Sequence, residues 1–232
     1  MIIKIEALEG AEFCMIQAVI FDMDGVLFDT ERLAVRSWEK AGRDLGVVGM
    51  GEIVPNVLGV SAAASWEVVR QTTGDDFPYD EFRKKAHDYS FEYFDRYGVP
   101  VKDGVRIALQ YLKENGYKIA VATSTRRASA MHHFEQTGLK EYFDDFVCGD
   151  EVENSKPAPD IFLKAAQKLK VSPEKCMVIE DSPNGLKAAS AAGMVPVMVP
   201  DLVPPDEYLS KLFVYQLTSL AQLPQLLEGI ED

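Results

Sequence analysis

Four short apolar segments constrain the fold of this 232-residue chain more than any other feature of its sequence. They are residues 18–21, 119–122, 177–179 and 195–199, and they are rich in Val, Ile and Ala. Such continuous runs are typical of strands buried on both faces of a parallel sheet. Segments with apolar residues at helical spacing separate them, most clearly at residues 105–112, 161–169 and 186–192. Alternating strands and helices predict an α/β fold with an open parallel sheet.

One stretch interrupts this alternation. Residues 32–98 contain helical patterns but no apolar strand, and connections inside a sheet are normally much shorter. We therefore expect a Rossmann-like parallel-sheet core with an all-α cap domain inserted after the first strand. The core would comprise residues 15–31 and 99–232, and residues 1–14 would be an N-terminal extension, either an extra strand, an arm or sequence upstream of a true start at Met15. Within the cap, the aromatic residues from Phe82 to Tyr97 and the two tryptophans are interpreted as packing residues.

Amino-acid composition restricts the kinds of partner and the cellular location expected for this chain. With 24 basic and 37 acidic residues the chain carries a formal charge of −13, which disfavours nucleic acid and anionic membranes as partners. The three cysteines form neither a disulfide framework nor a Cys-x-x-Cys pair, so a reducing, cytoplasmic location is predicted. The three histidines have no metal-ligand spacing and are expected at surface or boundary positions. A monomer is the default expectation.

Two carboxylates follow the first predicted strand. Asp22 and Asp24 are two residues apart, and Gly25 permits an immediate turn, so both side chains could face one crevice at the carboxyl edge of the sheet. A solvated acidic turn is an alternative. A calcium loop is another, although there a helix precedes the loop and the glycine comes sixth.

Three further signals lie after other predicted strands or near them. Thr123 and Ser124 offer hydroxyl and backbone N–H groups for an oxyanion, or an ordinary helix cap. Lys156 precedes a proline-stiffened loop, which alone is weak information. Glu180 and Asp181 form an acidic pair of the kind found at magnesium sites, or again a helix cap.

Together these signals favour phosphoryl transfer. Asp22, Asp24, Glu180 and Asp181 would repel one another at one sheet edge unless a cation lay among them. Mg²⁺ and Lys156 would supply three positive charges, enough to hold a phosphate dianion beside an ionised carboxylate. Asp22 would then attack phosphorus, and Asp24 would act as general acid and base. The phosphate oxygens would be bound by Thr123 and Lys156.

The same residues carry a resemblance to a known family. The segments FDMDGVLFDTE, VATS, SKPAPDIF and VIEDSPNGLKAASAAGM resemble the four motifs of the haloacid dehalogenase superfamily, in its phosphatase and β-phosphoglucomutase-like branch. The resemblance implies Asp22 as nucleophile and Asp24 as acid/base. It also implies Mg²⁺ bound by Asp22, the Asp24 backbone carbonyl and Asp181 with Glu180 in support, and phosphate bound by Thr123, the Ser124 N–H and Lys156.

Phosphatase and mutase are distinguished by two cap positions. In an ungapped register, the cap histidine and the phosphate-binding arginine of β-phosphoglucomutases fall on Ala34 and Ala62, which cannot bind phosphate. Arg36, Arg70 or Arg83 could substitute. We therefore expect a Mg²⁺-dependent phosphatase acting on a small phosphomonoester, with sugar phosphates as one candidate class. A sugar-phosphate mutase is the alternative, and a phospho-acceptor signalling domain is less favoured because such domains are about half as long and have no helical insert.

Overall fold

A central sheet organises the part of the chain that the computed structural model describes, which is residues 2–4, 15–60 and 62–231. In chain order its strands are β1 (Ile3–Lys4), β2 (Ala18–Phe21), β3 (Lys118–Thr123), β4 (Asp145–Cys148), β5 (Cys176–Glu180), β6 (Val195–Met198) and β7 (Tyr215–Gln216). Across the sheet they run in the order β1-β7-β6-β5-β2-β3-β4. All pairs are parallel except β1 with β7. The predicted parallel α/β core is confirmed, with an antiparallel strand at one edge.

Helices cover both faces of this sheet. Those of the described residues are α1 (Glu31–Asp44), α2 (Ala62–Thr73), α3 (Tyr79–Tyr97), α4 (Val105–Glu114), α5 (Arg127–Thr137), α6 (Asp160–Leu169), α7 (Pro183–Ala191) and α8 (Leu223–Glu231). α4, α5 and α8 pack on one face, and α6 and α7 pack on the other. α1 to α3, with a 3₁₀ helix at Met50–Val57, form the helical cap between β2 and β3. The predicted insertion is present, although β1 makes the strand before it the second in the chain.

The central strand β2 shows why the apolar runs are uninterrupted. Val19 and Phe21 face the α4, α5 and α8 layer, whereas Ala18 and Ile20 face α6 and α7. All four side chains are fully buried. Because each face of the sheet is covered by helices, the run remains apolar until the strand ends at Asp22.

Two strands, β4 and β7, were not predicted from the sequence. β4 begins with the polar Asp145 and has only three apolar residues, and β7 is two residues long. Neither pattern separates a strand from a loop by itself. Their pairing with β3 and β6 depends on the neighbouring strands that are already in place.

The cap has a hydrophobic cluster of its own, centred on Phe82 of α3. Trp38 of α1 meets the Phe82 ring edge-on, with centroids 5.1 Å apart, and Trp66 of α2 lies 5.0 Å from Tyr79. These contacts agree with the interpretation of both tryptophans as packing residues. The domain boundaries at residues 32 and 98 stay a prediction.

The aromatic residues of α3 do not all belong to that cluster. Phe94 is buried against the core layer that contains α4 and α5, and Tyr97 is 64% exposed. A 19-residue helix is about 28 Å long, so its end extends past the cap onto the sheet domain. The interpretation of this stripe as the cap's own core therefore fits Phe82 and does not fit Phe94 or Tyr97.

The predicted N-terminal extension is described only in part. Ile3 and Lys4 form β1, which matches the extra-strand alternative at those two positions, and residues 5–14 lie outside the described residues. Among the helices that the structure describes, none combines the length and the apolar character needed to cross a bilayer.

Candidate active site

The turn after β2 carries Asp22 and Asp24. The Asp22 backbone N–H donates to the Ile179 carbonyl of β5 at 3.0 Å, so the end of β2 is fixed to the neighbouring strand. Gly25 follows with φ +80°, a left-handed conformation that glycine adopts without strain. Its N–H donates to the Phe28 carbonyl at 2.9 Å and closes the turn. The Asp22 side chain is thereby held at the carboxyl edge of the sheet, and the residue is 8% exposed.

Lys156 lies in the middle of the site. Its side chain is buried, and its ammonium donates to Asp22 Oδ1, to Glu180 Oε1 at 2.7 Å and to the Ala122 carbonyl at 3.2 Å. A lysine ammonium has three N–H donors, so all three are satisfied by the protein. Asp22, Lys156 and Glu180, from three separate parts of the chain, are thus in direct contact, as the sequence motifs predicted.

The charges of this cluster depend on one another. Burial by itself lowers the pKa of Lys156, but the carboxylates of Asp22 and Glu180 outweigh burial and raise it overall. For Asp22 the balance differs: burial raises its pKa to about 7, and the Lys156 ammonium opposes that rise. A cation beside Asp22 would favour its ionised form further.

Glu180 is fully engaged by protein donors. Its Oε2 accepts from the Asp181 N–H at 2.9 Å, the Ser182 N–H at 2.8 Å and the Ser182 hydroxyl at 3.0 Å, while Oε1 accepts from Lys156. Glu180 was predicted among the metal-site residues. The structure places it there as the group that orients Lys156 and the start of the Asp181 loop, with no oxygen left unpartnered.

Asp181 differs from its neighbour. Its side chain is buried, and its Oδ2 has no donor from the protein except the neighbouring Glu31 carboxyl, which can bond to it only when one of the two is protonated. Burial, together with Glu31, Glu180 and Asp22 nearby, raises the pKa of Asp181 well above its usual range. An ideal Cβ on Gly25 would lie 2.2 Å from this oxygen, so only glycine permits the close approach of Asp181 to the Asp22–Asp24 turn.

Two further acids adjoin Asp181 and were not singled out in the sequence. Glu31 begins α1 and Asp201 lies in the loop after β6, and each offers an oxygen within 4.8 Å of the Asp181 carboxylate and of the other. Burial, then Asp201, raises the pKa of Glu31 to about 9. The donor set is made of carboxylate oxygens with buried, unpartnered atoms, which suits a hard cation such as Mg²⁺. The residues present therefore fit the predicted metal.

Two threonines fix the second carboxylate of the turn. Thr30 donates its hydroxyl to Asp24 Oδ1 at 2.6 Å, and Thr125 donates to Asp24 Oδ2 at 2.7 Å. Thr30 lies inside the FDMDGVLFDTE motif and Thr125 directly follows VATS, but nothing in the sequence indicated that their hydroxyls would meet on Asp24. The Asp24 carboxyl is therefore held in one orientation from both sides.

The predicted phosphate-binding residues lie at the end of β3, beside the cap. Thr123 is 1% exposed, and its hydroxyl oxygen accepts from the Thr125 N–H at 3.0 Å. The Ser124 hydroxyl donates to the Gly59 carbonyl at 3.1 Å, and Asn184 donates to the Leu58 carbonyl at 3.4 Å. A cap loop is thus anchored over the strand ends.

One histidine departs from expectation. His133 of α5 is 6% exposed and packs against Phe28 and Phe94, with ring centroids 5.9 and 4.7 Å away. Burial lowers its pKa, so the neutral ring is favoured. The expectation of a surface or boundary position is wrong for this residue, because the apolar face of α5 includes it. It contributes to packing between α5, α3 and the β2 turn.

Comparison with known protein families identifies the class of protein to which this chain belongs. Residues 16–193 match the family of haloacid dehalogenase-like hydrolases, which covers well over half of the chain. The chain belongs to that family, and it is an enzyme of the hydrolase class whose relatives are named phosphatases.

Three related proteins have names that refer to carbohydrate, hexitol or fructose phosphatases. The chain is 35% identical over 178 residues to the phosphorylated carbohydrates phosphatase of Thermotoga maritima, covering 77% of this chain and 82% of that one. It is 32% identical over 223 residues to hexitol phosphatase B of Escherichia coli O157:H7, covering 91% and 94%. The fructose-1-phosphate phosphatase YqaB of Escherichia coli K12 is 32% identical over 182 residues, covering 76% and 92%.

Solved structures share the fold. The CbbY protein of Rhodobacter sphaeroides, solved in complex with phosphate, has a TM-score of 0.76 at 26% identity and covers 90% of this chain and 96% of its own. The β-phosphoglucomutase of Clostridium difficile has a TM-score of 0.79 at 24% identity and covers 94% and 98%. The second likeness concerns the fold alone.

Proposed function

We propose that this protein is a Mg²⁺-dependent phosphatase that hydrolyses a small phosphomonoester, of the sugar-phosphate class, through an aspartyl phosphate on Asp22. One observation carries the proposal: the buried Lys156 ammonium joins Asp22 to Glu180, next to an Asp181 oxygen that has no protein partner. A buried carboxylate, a fixed cation and a free oxygen ligand are the groups that phosphoryl transfer requires. The names of three relatives support the substrate class.

In the first half-reaction, an Asp22 oxygen forms a bond to phosphorus while the bond from phosphorus to the ester oxygen breaks. Asp24 gives a proton to the departing oxygen, so a neutral alcohol leaves. In the second half-reaction, Asp24 takes a proton from water, which attacks phosphorus and releases inorganic phosphate from Asp22. The two threonines that hold Asp24 position its carboxyl for both proton transfers.

Binding of the phosphoryl group falls to the β3 end and the lysine loop. Thr123 and the Ser124 N–H are placed to donate to phosphate oxygens, whose charge changes most in the transition state. The ammonium of Lys156 is committed to three protein acceptors, so its contribution is mainly the positive charge that it places beside Asp22. Mg²⁺ held by Asp22, the Asp24 carbonyl and Asp181 would neutralise the phosphate and the carboxylates when bound.

Hydrolysis is favoured over mutase chemistry by the cap. Ala34 lies in α1 and Ala62 begins α2, and neither residue type has a group that binds a second phosphate. Of the arginines that could substitute, Arg70 is paired with Glu67 and Asp75. Arg36 and Arg83 are therefore the cap arginines that a second phosphate would need.

A screen of phosphorylated metabolites tests this function. Purified protein is incubated with a panel of sugar phosphates, nucleotides and other phosphomonoesters, with Mg²⁺ or with EDTA, and released inorganic phosphate is measured. We expect multiple turnovers on at least one sugar phosphate with Mg²⁺ only. Interconversion of hexose phosphates primed by a bisphosphate, without phosphate release, would establish the mutase instead. A single stoichiometric phosphorylation would indicate the signalling domain.

Two variants test the assigned roles. Asp22→Asn is expected to abolish turnover, because an amide cannot act as the nucleophile, while circular dichroism remains that of the parent. Asp24→Asn is expected to lower kcat by about 10²- to 10⁴-fold, the range of a general acid/base. Parental rates in either variant would contradict the role proposed for that residue.

The monomeric state and the cytoplasmic location stay predictions. Size-exclusion chromatography tests the first of them.

A further inference from the structure

Three buried carboxylates meet beside the proposed metal ligands. Glu31 is 5% exposed, Asp181 is 2% exposed, and the Asp201 side chain is 1% exposed. They come from the start of α1, the end of β5 and the loop after β6, and one oxygen of each lies within 4.8 Å of the others. No motif assigned Glu31 or Asp201 any role.

Within residues 2–4, 15–60 and 62–231, four buried side-chain polar atoms have no hydrogen-bond partner, and three of them belong to these carboxylates. They are Glu31 Oε2, Asp181 Oδ2 and Asp201 Oδ2, and the fourth is His133 Nδ1. Glu31 and Asp181 can bond to each other only through a proton on one of the two carboxyls. An ideal Cβ on Gly25 would lie 2.2 Å from Asp181 Oδ2 and 3.0 Å from Glu31 Cδ, so these two carboxyl groups converge on the Asp22–Asp24 turn. Buried acceptors without donors are costly and rare, which points to a ligand among them.

Asp201 is held in a way that leaves one oxygen for this ligand. Its Oδ1 accepts a hydrogen bond from Arg32 at 2.5 Å and forms an ion pair with the Lys102 ammonium, 2.9 Å away. Both cations contact the same oxygen, so the carboxylate is anchored on one side while Oδ2 remains buried and unpartnered. The arrangement fixes Asp201 as an acceptor that faces the cluster.

We propose that Glu31 and Asp201 are metal-positioning residues, whose carboxylates accept hydrogen bonds from water molecules bound to Mg²⁺ in the proposed site. This inference rests on the proposed function. Mg²⁺ demands six oxygen ligands and keeps several waters when few protein groups bind it directly. Asp22, the Asp24 carbonyl and Asp181 are the proposed direct ligands. Glu31 and Asp201 would therefore accept hydrogen bonds from the water molecules that complete the coordination. Such second-sphere acceptors typically change metal affinity by about 10- to 100-fold.

Metal binding without substrate tests the proposal. Free Mn²⁺ is measured by electron paramagnetic resonance during titration of the full-length protein, and Mg²⁺ is then added as a competitor. We expect Glu31→Gln and Asp201→Asn each to weaken Mn²⁺ binding by about 10-fold or more, and Asp181→Asn to weaken it most. Asp76→Asn and Glu228→Gln remove the same charge from exposed positions and should bind like the parent.

Thermal unfolding separates a metal role from a structural one. In EDTA, Glu31→Gln should be at least as stable as the parent, because it removes a buried carboxyl that lacks a donor. With Mn²⁺ present, its rise in Tm should be smaller than that of the parent. A folded Glu31→Gln or Asp201→Asn protein with parental Mn²⁺ affinity would overturn the assignment of that residue. A parent that binds no Mn²⁺ would overturn the metal-dependent function as well, so the two failures are distinct.

Discussion

At the scale of single residues, Gly185 shows how tightly the site is packed. An ideal Cβ at this position in α7 would lie 1.7 Å from Glu180 Oε1 and 1.9 Å from Glu180 Cδ. The same Glu180 oxygen accepts a hydrogen bond from Lys156. The absence of a side chain on α7 therefore allows Glu180 to hold the lysine beside Asp22.

Gly185→Ala is expected to impair both folding and activity. The added methyl group must displace Glu180. We therefore expect a loss of stability of about 1–3 kcal/mol or more, and a marked fall in kcat. Gly229→Ala is the control, because its Cβ would meet nothing within 4 Å in α8 and helix propensity predicts a gain of about 0.5–1 kcal/mol. Urea denaturation and phosphatase assays measure both. Equal stability of the two variants would contradict the close contact with Glu180.

Lys156→Met is expected to be destabilising in a pH-dependent way. The variant leaves Asp22 and Glu180 without their buried partner, which typically costs about 3–5 kcal/mol. A carboxyl with a raised folded pKa loses stability as the pH rises from about 4 to that pKa, which for Asp22 in the parent is about 7. Without Lys156 the pKa of Asp22 goes higher, so the loss of stability that comes from Asp22 should continue above pH 7 in the variant, whereas in the parent it is complete near pH 7. Glu31 and Asp181 lose stability above pH 7 in both proteins, so their share cancels in the difference between variant and parent.

Urea denaturation in EDTA at pH 6 and pH 8 measures this difference. The deficit of Lys156→Met relative to the parent should be larger at pH 8. Lys84→Met, at an exposed position of α3, should stay close to the parent at both pH values. A deficit that is the same at pH 6 and pH 8 would show that the carboxylates are neutralised by another group.

At the scale of elements, α3 joins two hydrophobic clusters. Phe82 near its start is fully buried in the cap, and Phe94 near its end packs on the sheet layer. The sequence predicted helical structure here, because aromatic residues recur at helical spacing from Phe82 to Tyr97. It did not predict which cluster each ring would join, since that depends on where the helix lies.

Phe82→Ala is expected to destabilise the cap. Removing a buried ring that contacts Trp38 at 5.1 Å and Phe77 at 5.5 Å should cost about 3–5 kcal/mol. Tryptophan fluorescence during urea denaturation reports on the cap, because both tryptophans lie in α1 and α2. Tyr97→Ala, at a position that is 64% exposed, should unfold like the parent. A parental midpoint for Phe82→Ala would contradict the assignment of this ring to the cap core.

At the scale of the whole molecule, polar contacts join the cap to the core on two sides of the site, in addition to the packing of Phe94 on the core. Leu58 and Gly59 accept hydrogen bonds from Asn184 and Ser124 of the core. On the other side, Asp201 binds Arg32, where the chain enters the cap. The cap loop therefore lies over the strand ends where the phosphate is proposed to bind, a position from which it can exclude water and contact the rest of the substrate.

Removing both core donors is expected to favour an open cap. The double variant Ser124→Ala and Asn184→Ala keeps the Ser124 N–H but loses two hydrogen bonds worth about 0.5–1.5 kcal/mol each. We expect KM to rise by up to about 10-fold with a smaller change in kcat, and hydrogen exchange at residues 56–60 to become faster. Asn115→Ala, at the end of α4, is the control. Unchanged KM and exchange would show that these contacts do not hold the loop.

Sequence alone determined the parallel core, the helical insertion and the identity of the central acids and lysine. The reason is physical: a strand covered on both faces stays apolar until it ends, so polar residues mark the carboxyl edge of the sheet. Asp22 and Asp181 could therefore be found before any contact was known, whereas Lys156, weak information alone, was identified through the family resemblance.

Only the tertiary structure decided which other groups complete the site. Thr125 meets Asp24 across 101 positions of chain, and Asp201 approaches Glu31 from the loop after β6, a strand that is separated from β2 by β5. No spacing rule links such residues, because their distances follow from strand order and from the path of loops. The unpartnered oxygens of Glu31, Asp181 and Asp201 exist only once these segments pack together, since burial is what removes their water.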